Sequence, residues 1–204
     1  MQNSLLVKIL IGIIIIVLIY FIYLSFKNSK QQSTSTSYIK SDFDDRKYLV
    51  QDLDHKEDAT YILSVIYHRI FVLRDYLQGH MNSYPKYRQY IQQFCNKINN
   101  VALKENSPSS KYTSYTVNKG QEIYLCLRSK NTGQLHDINL IMYVTIHELA
   151  HVACPEIDHT ELFKKIFKFL LKISIILGIY ENANYEDFPE EYCGLVIDEY
   201  LLKN

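Results

Sequence analysis

The pentad His147-Glu148-Leu149-Ala150-His151 lies in an apolar run that carries no glycine or proline from Ile138 to Cys154. Asp137 is a good N-cap before this run and Pro155 stops it, so one helix is predicted, apolar on most sides and buried in the core. Two histidines four residues apart share one helix face, and both imidazoles can reach a single metal ion. Burying two imidazoles and a carboxylate demands partners, which metal coordination supplies. Glu148, next to the first histidine, is then placed to take a proton from a metal-activated water. That chemistry is zinc-dependent peptide hydrolysis. Two core histidines bonded to carbonyls plus a paired glutamate is the bland alternative, which suits one histidine better than this triplet.

A catalytic zinc takes three protein ligands and leaves the fourth position to water. His159 follows His151 after seven residues, beyond the break at Cys154-Pro155 where the chain can turn back. Glu161 is the rival third ligand, with Glu156 and Asp158 as further carboxylates. Asp158-His159-Thr160-Glu161 reads as a capping-box-like start to the next helix, which engages the acids locally. Histidine is the commoner metal ligand, so His147, His151 and His159 form the expected set, for one Zn2+ per chain. Before the active helix, Tyr112–Val117 and Glu122–Arg128 flank Asn118-Lys119-Gly120, a hairpin signal. The second run is expected to be the edge that pairs with a peptide substrate.

The run from His147 to Phe163, HELAHVACPEIDHTELF, resembles the minimal zinc metallopeptidases of the WLM and SprT-like type. A closer likeness, across Tyr112 to Leu195 and including YTVNKGQEIYLCLR, IHELAH and EYCG, is to small metallopeptidase-like proteins of large nucleocytoplasmic DNA viruses. The resemblance implies that His147, His151 and His159 bind zinc and that Glu148 is the base. It supplies a reaction class and no substrate.

Ile9 to Phe26 is an almost purely apolar run of eighteen residues. With Leu5, Leu6 and Val7 it is long enough for a helix to cross a hydrocarbon layer of roughly 30 Å. It lacks the short apolar core and small-residue end of a cleaved signal, so a retained single-pass anchor is expected. Lys27, Lys30 and Lys40 after the span place the catalytic domain on the cytosolic side, of a host or virion membrane. No N-x-[ST] acceptor occurs, and Cys95, Cys126, Cys154 and Cys193 are scattered, which reads as buried thiols rather than a disulfide framework. Three lysines and no acids lie in the first thirty residues, leaving the remainder at a net charge of −3. Nucleic acid is therefore not an expected partner, and Lys164, Lys165, Lys168 and Lys172 read as a solvated helix face.

The chain divides into a tail at 1–4, an anchor at 5–26, a polar tether at 27–57 and a metallopeptidase domain at 58–204. Within the last, helices are expected from Asp58 to Leu77, from Pro85 to Leu103 and from Thr160 to Leu177, the last packing Phe163 and its apolar neighbours behind the zinc. The fold class is α+β, a minimal zincin (gluzincin- or metzincin-like) with a short hairpin or small sheet and an active-site helix. The predicted protein is a membrane-anchored zinc endopeptidase acting on a protein or peptide. Tyr192 is a candidate donor to the oxyanion, with Tyr180 and Tyr185 competing. Two other classes stay open: a zinc-stabilised structural membrane (virion) protein without catalysis, and a DNA-associated SprT-like protease. The oligomeric state is not readable.

Overall fold

In the computed structural model, residues 11–22, 35–107 and 109–203 are described, and the chain separates into one unit over Met1–Thr34 and another over Ser35–Asn204. In the first unit, helix α1 occupies residues 11–22. At a rise of about 1.5 Å per residue this described stretch is on the order of 18 Å long. No helix among the described residues is long and apolar enough to cross a membrane. That finding overturns the expected single-pass anchor and with it the cytosolic placement of the domain. Residues 5–10 and 23–26 of the expected span lie outside the described residues.

The second unit has five strands in one sheet, β1 (Thr36–Lys40), β2 (Lys47–Gln51), β3 (Ala102–Glu105), β4 (Tyr115–Val117) and β5 (Glu122–Leu125), in the order β1-β2-β3-β5-β4. Pairing is antiparallel at both ends and parallel for β2 with β3 and β3 with β5. Helices α2 (Lys56–Gly79) and α3 (Arg88–Ile98) lie in the crossover between β2 and β3. Helices α4 (Ile138–Ala153) and α5 (Glu161–Ile176) follow the sheet, and a separate hairpin, β6 (Glu190–Tyr192) with β7 (Leu195–Ile197), closes the chain. The α+β class is as expected.

Two boundaries and one choice of edge strand differ from the sequence reading. Strands β1 and β2 fall inside the expected tether at 27–57, because Tyr48 and Val50 alternate inward on either side of the half-buried Leu49 and bury against α2. The helix expected to reach Leu103 stops at Ile98, and Ala102–Glu105 joins the sheet beside β5. That pairing corrects the choice of edge. β5 is an inner strand, and β4 is the outer one.

Helix α4 is central, packing on α2, α3, α5, β4 and β5. Its start is fixed as the sequence indicates: the Asp137 side chain accepts from the Asn139 and Leu140 amides. Twelve of its residues are buried, Glu148 among them. On α5, Phe163, Ile166, Phe167, Phe169, Leu170, Leu171 and Ile173 face the core. Burying one such side chain contributes roughly 1.5–3 kcal/mol, which holds α5 against α4 and thereby backs the site.

Candidate active site

His147 and His151 project from one face of α4, and the chain beyond it returns a third imidazole to them. Cys154 is extended, as a residue before proline prefers, and Asp158 takes a left-handed φ of 68°, a conformation aspartate tolerates. Lys119 Nζ donates to the Cys154 and Pro155 carbonyls at 3.2 and 3.1 Å, satisfying groups that the end of α4 leaves unpaired. Thr160 then caps α5 by accepting from the Phe163 amide at 3.3 Å, while its hydroxyl donates to Glu156. This turn seats His159 Nε2 at 3.0 Å from His147 Nε2 and 3.2 Å from His151 Nε2.

Among the described residues, these three histidines form the one group of metal-ligating side chains whose donor atoms lie within 4.8 Å of each other. Three nitrogens bound tetrahedrally to zinc at roughly 2.0–2.1 Å stand about 3.3 Å apart, so the donor set fits that ion with small adjustments. Glu161, the rival ligand, is 80% exposed and pairs with Lys164 at 3.3 Å. Burial is the main force depressing the pKa of His147 to about 3 and of His151 to about 4, with the neighbouring imidazoles adding to it. Both rings are therefore neutral at physiological pH, the state in which a lone pair is available to a metal. Phe163 stacks on His151 with ring centres 4.2 Å apart and lies 5.0 and 4.9 Å from His147 and His159, so one α5 ring supports all three.

Glu148 is 6% exposed, and burial pushes its carboxyl up to about 7 against the opposing pull of the Thr116 hydroxyl. Thr116 Oγ1 donates to Glu148 Oε2 at 2.8 Å. Two residues earlier on the same side of the chain, Ser114 Oγ accepts from the Cys126 amide at 3.2 Å and shares a 2.7 Å hydrogen bond with the Tyr192 hydroxyl. Tyr192 is buried, which raises the pKa of its phenol. A cavity of about 720 Å³ opens over these groups. It is lined by the three histidines, Glu148, Thr116 and Tyr192, by Tyr143, Val144 and Phe167 beside them, and by Leu195–Glu199 opposite. Tyr180 and Tyr185 do not line it; both are buried around Tyr143.

The structure departs from the sequence reading in one covalent feature. Cys126 and Cys193, expected as separate thiols, form a disulfide across 67 residues with Cα atoms 6.1 Å apart, while Cys95 and Cys154 are free and buried. Scattered spacing conceals such a bond, because only the fold brings the end of β5 to the β6–β7 turn. Sequence reasoning also missed Ser114, Thr116 and His136. Ser114 and Thr116, two residues apart, are marked as sharing a face, but nothing local says that this face meets α4 or that His136 meets the hairpin.

A family model described as the WLM domain matches residues 99–177, which include the pentad and His159. Uncharacterized protein R325 of Acanthamoeba polyphaga mimivirus is 56% identical over 203 residues, covering 100% of both chains. Uncharacterized protein 136R of Invertebrate iridescent virus 6 is 29% identical over 175 residues, covering 84% of this chain and 90% of that one. Among solved structures, Wss1 from Saccharomyces cerevisiae aligns with a TM-score of 0.47 and 21% identity over 64% of this chain and 88% of that one. With the mimiviral relative matched along its whole length and the family model spanning the histidine cluster, the chain belongs to the WLM domain family, among the members encoded by large DNA viruses.

Proposed function

We propose that the protein is a zinc-dependent endopeptidase, with one zinc ion held by His147, His151 and His159. The observation that carries this reading is the convergence of three Nε2 atoms beside a buried carboxylate on the next residue of the same helix. Zinc, when bound, supplies Lewis-acid polarisation that lets water act as a nucleophile near neutral pH. Glu148 takes the proton of the attacking water and later returns it to the leaving amine. Its second oxygen is free for this work because Thr116 engages the first. Ser114 Oγ accepts a hydrogen bond from the Cys126 amide, so its own hydroxyl can donate to Tyr192 and leave the phenol proton directed at a developing oxyanion.

The outer edge of β4 has no strand partner among the described residues and stands beside Glu148. An extended peptide pairing there would lay its backbone across the site. One of its side chains would then enter the apolar recess formed by Tyr143, Val144 and Phe167. The substrate class is therefore an unfolded or extended protein segment with a bulky apolar residue at the cleaved bond.

Glu148→Gln is the test, measured on a denatured protein substrate with the zinc-loaded full chain. Cleavage is expected to fall by about 10²–10⁴ while zinc content is unchanged. Undiminished cleavage by the zinc-loaded variant would reject Glu148 as the base.

A further inference from the structure

The β6–β7 hairpin forms one wall of the cleft, yet its strands bond to each other and not to the five-stranded sheet. A lone two-stranded hairpin is marginal in water, so its position depends on what ties it down. Apart from a Glu191–Ser129 hydrogen bond and the packing of Ile197, those ties sit on two adjacent residues. Cys193 is joined to Cys126 by the disulfide, and its amide donates to His136 Nε2 at 3.2 Å. Tyr192 bonds Ser114 at 2.7 Å and packs its ring 5.1 Å from that of His136. Beyond the turn, Leu195 and Val196 are 59% and 63% exposed, so Ile197 alone of the β7 side chains packs against the core.

We propose that the Cys126–Cys193 disulfide is a redox latch on the cleft: joined, the two sulfurs fix the hairpin wall and Tyr192, and parted, they let both move. Both cysteines are buried, at 6% and 3% exposure, so a reductant reaches the bond only when the hairpin opens. The exchange follows ordinary thiol chemistry. A thiolate of a dithiol attacks one sulfur, displaces the other as a thiolate that takes up a proton, and forms a mixed disulfide. The second thiol of the reagent then displaces the remaining cysteine. Two protein thiols and one oxidised reagent result. Without the bond, only non-covalent contacts hold the wall, namely the hydrogen bonds of Tyr192, Cys193 and Glu191, the His136 ring contact and the packing of Ile197, and residues 190–199 lose their fixed place over the site. Regulation of catalysis by this latch rests on the peptidase reading; the mechanical claim does not.

The test uses the full zinc-loaded chain, oxidised and after treatment with dithiothreitol, together with the double variant Cys126→Ser/Cys193→Ser, which removes any effect of the reagent on zinc. Thiol titration after denaturation should find two of the four cysteines free in the oxidised protein and all four after reduction. Hydrogen exchange of hairpin amides should rise by about tenfold or more without the bond, since local opening sets that rate, while α4 stays protected. Cleavage of a denatured protein should fall about tenfold or more at unchanged zinc content, as expected when an oxyanion donor loses its position. Four free thiols in the oxidised chain, or equal hairpin exchange in both states, would overturn the latch. Faster exchange with full cleavage would retain the latch and reject its control of activity. A parent chain that cleaves nothing would reject the peptidase reading, and the exchange data would still decide the latch.

Discussion

Thr116 Oγ1 on β4 donates a 2.8 Å hydrogen bond to Glu148 Oε2 on α4, joining the sheet edge to the carboxylate beside the histidine cluster. The bond fixes which oxygen of Glu148 turns toward the histidines. Thr116→Val keeps the shape and removes the donor, leaving a buried carboxylate oxygen without its partner. Hydrogen bonds to charged groups are worth roughly 1.5–3 kcal/mol, so kcat should fall by about 10- to 100-fold. KM and zinc content should stay at parental values, and Thr116→Ser should recover most of the rate. Equal kcat for the valine variant and the parent would show that Glu148 does not depend on this contact.

The turn that sets β4 against α4 makes a second expectation concrete. Gly120 has a φ of +112°, and an added Cβ would stand 3.0 Å from Val152 Cγ1 of α4. Gly120→Ala therefore combines backbone strain with a core clash, expected to cost about 1–3 kcal/mol. Thermal unfolding should show a loss of at least a few degrees for a domain of this size. An unchanged Tm would mean that the turn and helix separate easily.

His136 gives the hairpin an acid-sensitive tie. Burial lowers its pKa below the ordinary 6.5, with Glu191 opposing, and its Nε2 accepts the Cys193 amide only when the ring is neutral. A base with a depressed folded pKa contributes stability above its unfolded value, and loses that contribution as pH falls from about 6.5 through the folded pKa. The protection of the Cys193 amide, its exchange rate taken relative to the intrinsic rate at each pH, should fall on acidification below that point. His136→Gln offers an acceptor that does not titrate and should flatten the dependence. The same acid response in both proteins would place its origin elsewhere.

How much of this was legible in the sequence follows from the range of the interactions. Helix α4 was readable from Asp137, the apolar run and Pro155, because caps and stops act within a few residues. The Asn118-Lys119-Gly120 hairpin was readable for the same reason, and its register pairs Val117 with Glu122. Return of His159 to the first two histidines followed from the break at Pro155. Which hairpin strand forms the edge was not readable, since that depends on β3, whose residues look like the end of a helix. Contacts of Thr116 with Glu148 and of Cys126 with Cys193 span 32 and 67 residues, and no local pattern encodes them. Hydropathy made residues 5–26 into a membrane span, which the described helix at 11–22 does not sustain.

The central claim is a three-histidine zinc site, and zinc content of the purified full chain tests it most directly. Equilibrium dialysis followed by elemental analysis should give about one zinc ion per parent chain, with a marked loss in His159→Ala, as expected for a site with three protein ligands. Equal zinc in parent and variant would contradict the role of His159, and a folded parent that binds no zinc would contradict the site altogether.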